Sequence, residues 1–493
     1  MGPAMVPSLR ITSANAAPRR PSRDFVLYWM TASRRRAHNW ALARAVAHAR
    51  ELALPLVVLE PLRCDHPFAN ARLHRFMLDG MRANRAAFAD RKALYWPYVE
   101  PEPGAARGLL AAFAALAAVV VTDEYPCYFL PAAVAAAAAR IDVQLELVDG
   151  NGLVPLRVAD RTCVRAVDFR RFLQKALPRH LAAAPPADPL AGRSLPRLAG
   201  LPPQLARRWP AASEALLAGD LAELPIDQTV AAVPGTPGGA EAGGRVLRRF
   251  LEQRLGRYAD DHSHPDREAT SGLSPYLHFG HVGVHEVFAA LARHEQWTPD
   301  RLSGTATGKR DGYWGMSAAA EAFVDQLVTW RELGFHVCHR MPDTYDRFES
   351  LPEWARRTLA EHATDRRDPC YELPTFAAAA THDPLWNAAQ RQLLREGTIQ
   401  NYLRMLWGKK ILEWSRTPQE ALATMLELNN RYALDGRDPN SYSGIFWCLG
   451  RHDRPWAPKR PIFGMVRFMS SASTMRKLRL RTYLERFGCD ASS

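Results

Sequence analysis

Over the first third of the chain, short and almost unbroken apolar runs alternate with longer segments whose apolar residues recur every three or four positions. Phe25-Val-Leu-Tyr-Trp-Met30 reads as a strand buried on both faces, and strand-like runs follow at 55–62, 93–99, 118–123 and 142–148. Residues 35–52 and the Ala-rich stretches between the later runs read as helices. Short apolar runs that alternate with amphipathic helices predict βαβ units around a parallel sheet, here an α/β domain over 24–183. Ligands of such sheets bind at the strand ends, but no Gly-x-Gly-x-x-Gly follows the first strand, so the dinucleotide fingerprint is missing.

The pattern then changes. Residues 184–245 are rich in Pro, Ala and Gly and read as a long, partly irregular connector. From 246 to 487 helical spacing dominates, at 246–259, 317–335, 384–395 and 400–416, and strand-like runs are almost absent. The predicted fold class is therefore an α/β N-terminal domain with a parallel sheet, a long connector, and a larger all-helical C-terminal domain. Residues 1–23 are basic and Pro/Ala-rich without the apolar core of a secretory signal. They read as a disordered tail, with a transit-like peptide as the weaker alternative. No stretch reaches the roughly 18 apolar residues of a membrane helix, and there is no internal repeat.

Charge sharpens the picture. The 493 residues hold 64 Lys+Arg against 51 Asp+Glu, a net charge of +13. Such a surplus points to an anionic partner, nucleic acid before an anionic membrane surface, although an arginine-rich coding bias gives the same sum. The surplus concentrates at the end: residues 451–486 carry ten Lys/Arg against Asp453 and Glu485, with Trp456, Phe463 and Phe468 interleaved. Cations that neutralise phosphates beside aromatic faces that stack on bases suit nucleic acid, and a solvated basic face is the competing account. Seven scattered cysteines without a Cys-x-x-Cys fit a reducing cytosol rather than a disulfide framework or a zinc site.

Two local patterns fall away. Ser303-Gly-Thr-Ala-Thr-Gly-Lys-Arg310 has three residues between its glycines and Arg after the lysine, so it is not a phosphate loop. His278, His281 and His285 are spaced for one helix face, but Pro275 and Gly280 interrupt the helix and no acid completes a metal set; no metal is expected. Trp407 and Trp414 are seven residues apart, on one helix face and about 10 Å apart along the axis, with Trp386 on the preceding segment. Packing accounts for such a pair as readily as electron hopping does.

Several strings together resemble the photolyase/cryptochrome family, and class II cyclobutane pyrimidine dimer photolyases in particular. They are Thr270-Ser-Gly-Leu-Ser-Pro-Tyr-Leu-His-Phe-Gly280, Trp330-Arg-Glu, His382-Asp-Pro-Leu-Trp-Asn-Ala-Ala-Gln390, Arg404-Met-Leu-Trp-Gly-Lys-Lys-Ile-Leu-Glu-Trp414 and Leu434-Asp-Gly-Arg-Asp-Pro-Asn440, with Tyr28-Trp-Met, Asn39-Trp-Ala-Leu, Phe76-Met-Leu and Ile462-Phe-Gly. The resemblance spans roughly residues 24–470. It implies light-driven electron transfer from reduced FAD to pyrimidine dimers in DNA. Tyr258, Thr270, Ser271, Leu273 and Ser274 would hold the FAD diphosphate. Asn387 and Asp435 would contact the flavin or its sugar chain, Arg404 would pair with Asp435, and Asn429 would face flavin N5. Trp407, Trp386 and Trp414 would relay electrons. Gln326, Trp330, Met405 and Trp447 would form the dimer pocket, and Arg451, Arg454, Lys459 and Arg460 would hold the DNA backbone.

One position departs from the family. Glu usually stands one helical turn before the pocket tryptophan, and this chain has Gln326. An amide donates a hydrogen bond but supplies neither a proton nor a charge. Asp325 lies about 100° around the helix and is no simple substitute. The departure keeps a second expectation open, a cryptochrome-like FAD photoreceptor without repair activity, beside a light-independent nucleic-acid-binding protein. An antenna chromophore in the α/β domain, a monomeric state and a cytoplasmic, nucleoid-associated location complete the expectations.

Overall fold

The computed structural model describes residues 6–90, 92–192 and 194–488. Backbone contacts divide the chain into two units. One takes Met1–Asp160, Ala176–Leu247 and Leu273–Arg293; the other takes Arg161–Lys175, Arg248–Gly272 and His294–Ser493.

The first unit is built on a six-stranded sheet in the order β1-β6-β5-β2-β3-β4, with β1 Ile11–Ser13, β2 Phe25–Trp29, β3 Leu56–Leu62, β4 Leu94–Val99, β5 Ala117–Glu124 and β6 Leu145–Asp149. All neighbours are parallel except β1 and β6. Strands covered on both faces need apolar residues at every position, and β2 is buried throughout. Val26 and Tyr28 turn to one face with Val58, Val119 and Val121, under Trp40, Leu42 and Val46 of helix α1 (Trp40–Glu51). Phe25, Leu27 and Trp29 turn to the other with Val57, Leu59 and Val120, under Leu109 and Phe113.

The helix expected from residue 35 begins at Trp40. The Asn39 side chain accepts from Leu42 N at 2.9 Å and donates to Ser33 O and Arg35 O, so residues 35–39 are drawn into a loop rather than a helical turn. The carboxyl end of β2 is closed by the protein itself: Asp123 accepts from the backbone N–H groups of Thr31, Ala32 and Ser33 at 2.9, 2.9 and 3.1 Å.

Two expectations require correction. Residues 6–23 are not a disordered tail. β1 pairs antiparallel with edge strand β6, Ile11 opposite Val148, and Arg10, 1% exposed, donates to the carbonyls of Asp149, Gly152 and Leu153. An edge strand presents unpaired backbone groups, and the chain start satisfies them. Residues 1–5 lie outside the described residues. The segment 184–245 is likewise no free connector, and the boundary at 245/246 does not divide the units. Leu190 and Leu195 join one core of the sheet, and Leu201, Leu205 and Trp209 join the other. Trp209 Nε1 donates to Ala105 O at 2.9 Å. The isolated apolar residues in the Pro-rich sequence supply these anchors.

The second unit carries no strand among its described residues. Its core gathers Trp386, Leu403, Trp407, Ile411, Trp414, Leu428 and Phe446 from the helices Pro384–Glu396, Asn401–Trp414, Pro418–Tyr432 and Pro439–Cys448. The helix expected over 317–335 is interrupted: Ala318–Val324 and Arg331–Arg340 flank a π-helical turn, Asp325–Trp330.

The three spaced histidines diverge. His281 lies against Phe76 at 5.1 Å, His285 meets Trp40 at 5.9 Å, and His278 faces Tyr125 at 3.3 Å. Burial lowers His281 to about 3, His336 to about 4 and His452 to about 3. Their folded values lie below the roughly 6.5 of free histidine, so their contribution to stability is complete above about pH 6.5 and is lost as pH falls toward 3. We expect His281→Gln, which keeps an acceptor for the Gly239 N–H, to lose less stability than the parent protein between about pH 6.5 and pH 4. Parallel urea titrations whose midpoints fall equally in both proteins would remove His281 from the acid response.

Candidate active site

The four helices that carry Trp386, Trp407, Asn429 and Trp447 each start on a side-chain cap. Asp383 accepts from Leu385 N and Trp386 N, Gln400 from Leu403 N, Thr417 from Glu420 N and Asp438 from Asn440 N, which satisfies donors that a helix start leaves unpaired. The capped helices set the three tryptophans in a column. Trp407 and Trp386 stack with centroids 6.4 Å apart and planes 5° from parallel, and Trp386 meets Trp414 at 6.1 Å and 69°. Trp386 Nε1 donates to Trp407 O at 3.0 Å, and Trp407 Nε1 donates to Gln390 Oε1 at 2.9 Å. Trp386 thus stands between the pair that spacing alone set on one face. Trp414 ends the column against His382 at 4.9 Å and Tyr371 at 5.9 Å.

The residues expected to hold a cofactor are placed as follows. Arg404 Nη2 donates to both oxygens of Asp435, at 2.9 and 3.3 Å. Asn429, 2% exposed, donates to Ser441 Oγ at 2.7 Å. Asn387 accepts from Thr381 N and Oγ1 and donates to Thr381 O, which locks the turn ahead of its own helix. Tyr258 is buried between His262, Phe250 and Phe323. Thr270 and Ser271 are half-buried in the second unit, and Thr270 O accepts from Arg254. Leu273 and Ser274 belong to the first unit, where Ser274 opens a five-residue helix. The Arg404 guanidinium, with Nε and Nη1 not spent on Asp435, and the buried Asn429 amide can donate, and the Asp435 carboxylate accepts; these group types fit a phosphate-bearing cofactor with a hydrogen-bonding ring.

A cavity of about 380 Å³ opens in the second unit. Met405 and Trp447 line it, with Tyr402, Trp456, Arg460, Arg467, Phe468 and Lys477. Cations sit against its rings: Arg467 is 3.9 Å from Trp456 and 5.4 Å from Trp447, Arg454 is 4.7 Å from Trp456, Arg460 is 4.9 Å from Phe468, and Lys477 is 4.9 Å from Tyr402. Exposed contacts of this kind are worth about 0.5–1 kcal/mol each. Asp453 orients Arg467 through two hydrogen bonds, of 2.8 and 3.0 Å; burial acts to raise the Asp453 carboxyl, and those bonds outweigh it and hold the carboxyl low. Flat aromatic walls with a cationic rim suit a planar, apolar group on a phosphate chain. Arg467, Lys477 and Tyr402 are not among the sequence-predicted site residues, although the alternation of basic and aromatic residues after 451 is the signal for Arg467 and Lys477.

The four expected backbone contacts separate. Arg454, Lys459 and Arg460 are exposed, with Lys459 paired to Glu361 at 2.7 Å. Arg451 does not belong with them. It is 3% exposed, covers the Phe446 ring at 3.7 Å, and donates to Tyr345 O at 2.9 Å and to Ser350. It holds the fold and cannot reach a phosphate.

Gln326 and Trp330, both half-buried, do not line this cavity. They lie in the π-helical turn, where the Arg331 N–H reaches Gln326 O five residues back. Such turns insert an extra residue and concentrate at functional sites. Asp325 is committed elsewhere, to Arg170 at 2.8 and 3.1 Å, so it does not stand in for the missing glutamate.

Residues 26–190 match the family model described as DNA photolyase. A protein of Methanothermobacter thermautotrophicus named deoxyribodipyrimidine photo-lyase is 32% identical over 483 residues, covering 98% of each chain. Proteins of that name from Oryza sativa and Potorous tridactylus are also 32% identical, over 93% and 95% of this chain and 86% and 82% of theirs. The crystal structure of a bacterial class III photolyase from Agrobacterium tumefaciens superposes with a TM-score of 0.66 at 17% identity, over 94% of this chain and 86% of that one, a likeness of fold.

Proposed function

The chain belongs to the DNA photolyase family, and from that premise we propose a class II enzyme that uses FAD and light to split cyclobutane pyrimidine dimers in DNA. The carrying observation is the cavity that joins Met405 and Trp447 to a rim of cations on aromatic rings. The class rests on the strings around Arg404–Trp414 and Leu434–Asn440, with full-length plant and marsupial relatives in support. No helix among the described residues is long and apolar enough to cross a membrane, and the anionic partner that the net charge calls for is DNA.

Extruding a dimer from the duplex costs a few kcal/mol, and less for a lesion that already distorts the helix. Met405 and Trp447 give it an apolar wall. Arg454, Arg460 and Lys477 take the flanking phosphates, a sequence-independent contribution that weakens with salt. Arg404, Asp435, Asn429 and Asn387 would hold FAD in the second unit, and Tyr258, Thr270 and Ser271 of the same unit would meet its diphosphate. FAD held there would supply the light-driven electron-transfer chemistry. The column Trp414, Trp386 and Trp407 offers an inward path for electrons. Gln326, for which the resemblance implies a contact to the dimer, carries an amide that can donate a hydrogen bond without adding charge.

Ultraviolet-treated DNA should lose thymine dimers with the purified protein under blue light and keep them in the dark. Released FAD should absorb at about 450 nm. A colourless protein, or equal loss in the dark, would sink the reading. Trp407→Phe should slow photoreduction by about tenfold or more while chemically pre-reduced protein repairs as before; loss of both activities would refute the relay. Gln326→Glu should raise the repair yield several-fold. Absence of repair in both forms would leave a light-sensing flavoprotein instead.

A further inference from the structure

Behind the cavity wall stands a lysine with no exposed surface. Lys409 follows Met405 by one turn of the helix Asn401–Trp414. Its ammonium donates to Cys448 O at 2.7 Å and lies 4.9 Å from the ring centre of Trp447. Cys448 ends the helix Pro439–Cys448, and a terminal carbonyl without an intrahelical donor favours a cation. No carboxylate among the described residues pairs with Lys409. Asp453, whose charge acts on Lys409, is committed to Arg467 and to Trp456 Nε1. A buried charge with one hydrogen bond is costly, and an apolar chain of the same length would fill the space without that cost. What the charge does have is Trp447, whose ring Arg467 also approaches, at 5.4 Å.

We propose that Lys409 is a positioning residue for the dimer: its charge, held behind the Trp447 indole, fixes that ring at the cavity edge and sets a positive potential there for an electron-accepting, phosphate-linked ligand. The proposal rests on the repair reading above. Burial lowers the Lys409 ammonium to about 8, with Arg467 adding repulsion and Cys448 and Asp453 acting against it. The other groups facing it titrate elsewhere: burial pushes the Cys448 thiol to about 11, against the pull of Lys409 and Arg404, and Asp453 is held low. The charge is therefore present below about pH 8 and lost above it.

The test is dark binding of a duplex oligonucleotide with one thymine dimer to the FAD-loaded protein, from about pH 7 to about pH 9.5, across the titration of a buried lysine. The parent protein should bind about tenfold more weakly above pH 8 than below it, roughly 1.4 kcal/mol. Lys409→Met and Lys409→Gln should bind at the parent's alkaline level throughout, with affinity for undamaged duplex unchanged. Lys409→Gln keeps a donor for Cys448 O, so parental behaviour in that variant would reduce Lys409 to a helix clamp and overturn the proposal. A flat parental profile would overturn it too. Should neither variant fold, Trp447→Leu decides: without the indole the pH dependence should vanish, and its persistence would refute the proposal. A parent protein that does not prefer the damaged duplex even at neutral pH would count against the repair reading, whereas loss of preference confined to alkaline pH belongs to Lys409.

Discussion

The contact between the helices Pro384–Glu396 and Asn401–Trp414 governs the second unit. Two indoles with centroids 6.4 Å apart, cross-linked by Trp386 Nε1 to Trp407 O, allow one register between these helices. That register places everything else on Asn401–Trp414 by rotation at about 100° per residue. Met405 and Lys409, four residues apart, share a face turned away from Trp407. They address Trp447 from the cavity and from behind it. Between them Gly408 lets the helix come close to its neighbours: a Cβ there would lie 2.5 Å from Cys448 Sγ. One helix therefore carries a tryptophan face and a cavity face, and neither can shift without the other.

Charge works in two ways that composition merges. Part of the cationic surplus is structural. Arg10 ties the chain start to β6, Arg451 covers Phe446, and Lys409 caps a helix, all with little or no exposure. Another part is neutralised at the surface, as Lys459 is by Glu361 and Arg486 by Glu268 and Glu396. The cations that distinguish the site are those set on aromatic rings at the cavity. There the ring confines a long side chain that would otherwise sample many rotamers, and the cation keeps the ring in place. A polyanion meets a pre-ordered rim rather than a diffuse positive surface.

The π-helical turn Asp325–Trp330 is the backbone counterpart of that ordering. An extra residue in one turn changes which side chains follow the helix axis. Asp325 goes to Arg170 and stays buried, while Gln326 and Trp330 remain partly open. Replacement of the family's glutamate by Gln326 keeps a donor and removes a titrating group. In the proposed site the charged groups at the cavity wall are then cations rather than a carboxyl group.

Periodicity was enough to establish the α/β part, the helical part and the strand positions. Strands covered on both faces must be apolar throughout, and helices must repeat every three to four residues. The long motifs were enough for the family, and they named residues of the candidate site. Composition misled at the chain start and in 184–245, because a few anchors such as Arg10, Leu205 and Trp209 outweigh many Pro, Ala and Gly once a sheet offers them an edge or a face. Only the tertiary structure could withdraw Arg451 from the DNA-contact set, place Trp386 between Trp407 and Trp414, interrupt the helix at Asp325–Trp330, and bring Lys409 behind Trp447. Each of these depends on which distant segment a side chain meets, and a linear pattern records spacing along one element but not the partner across from it.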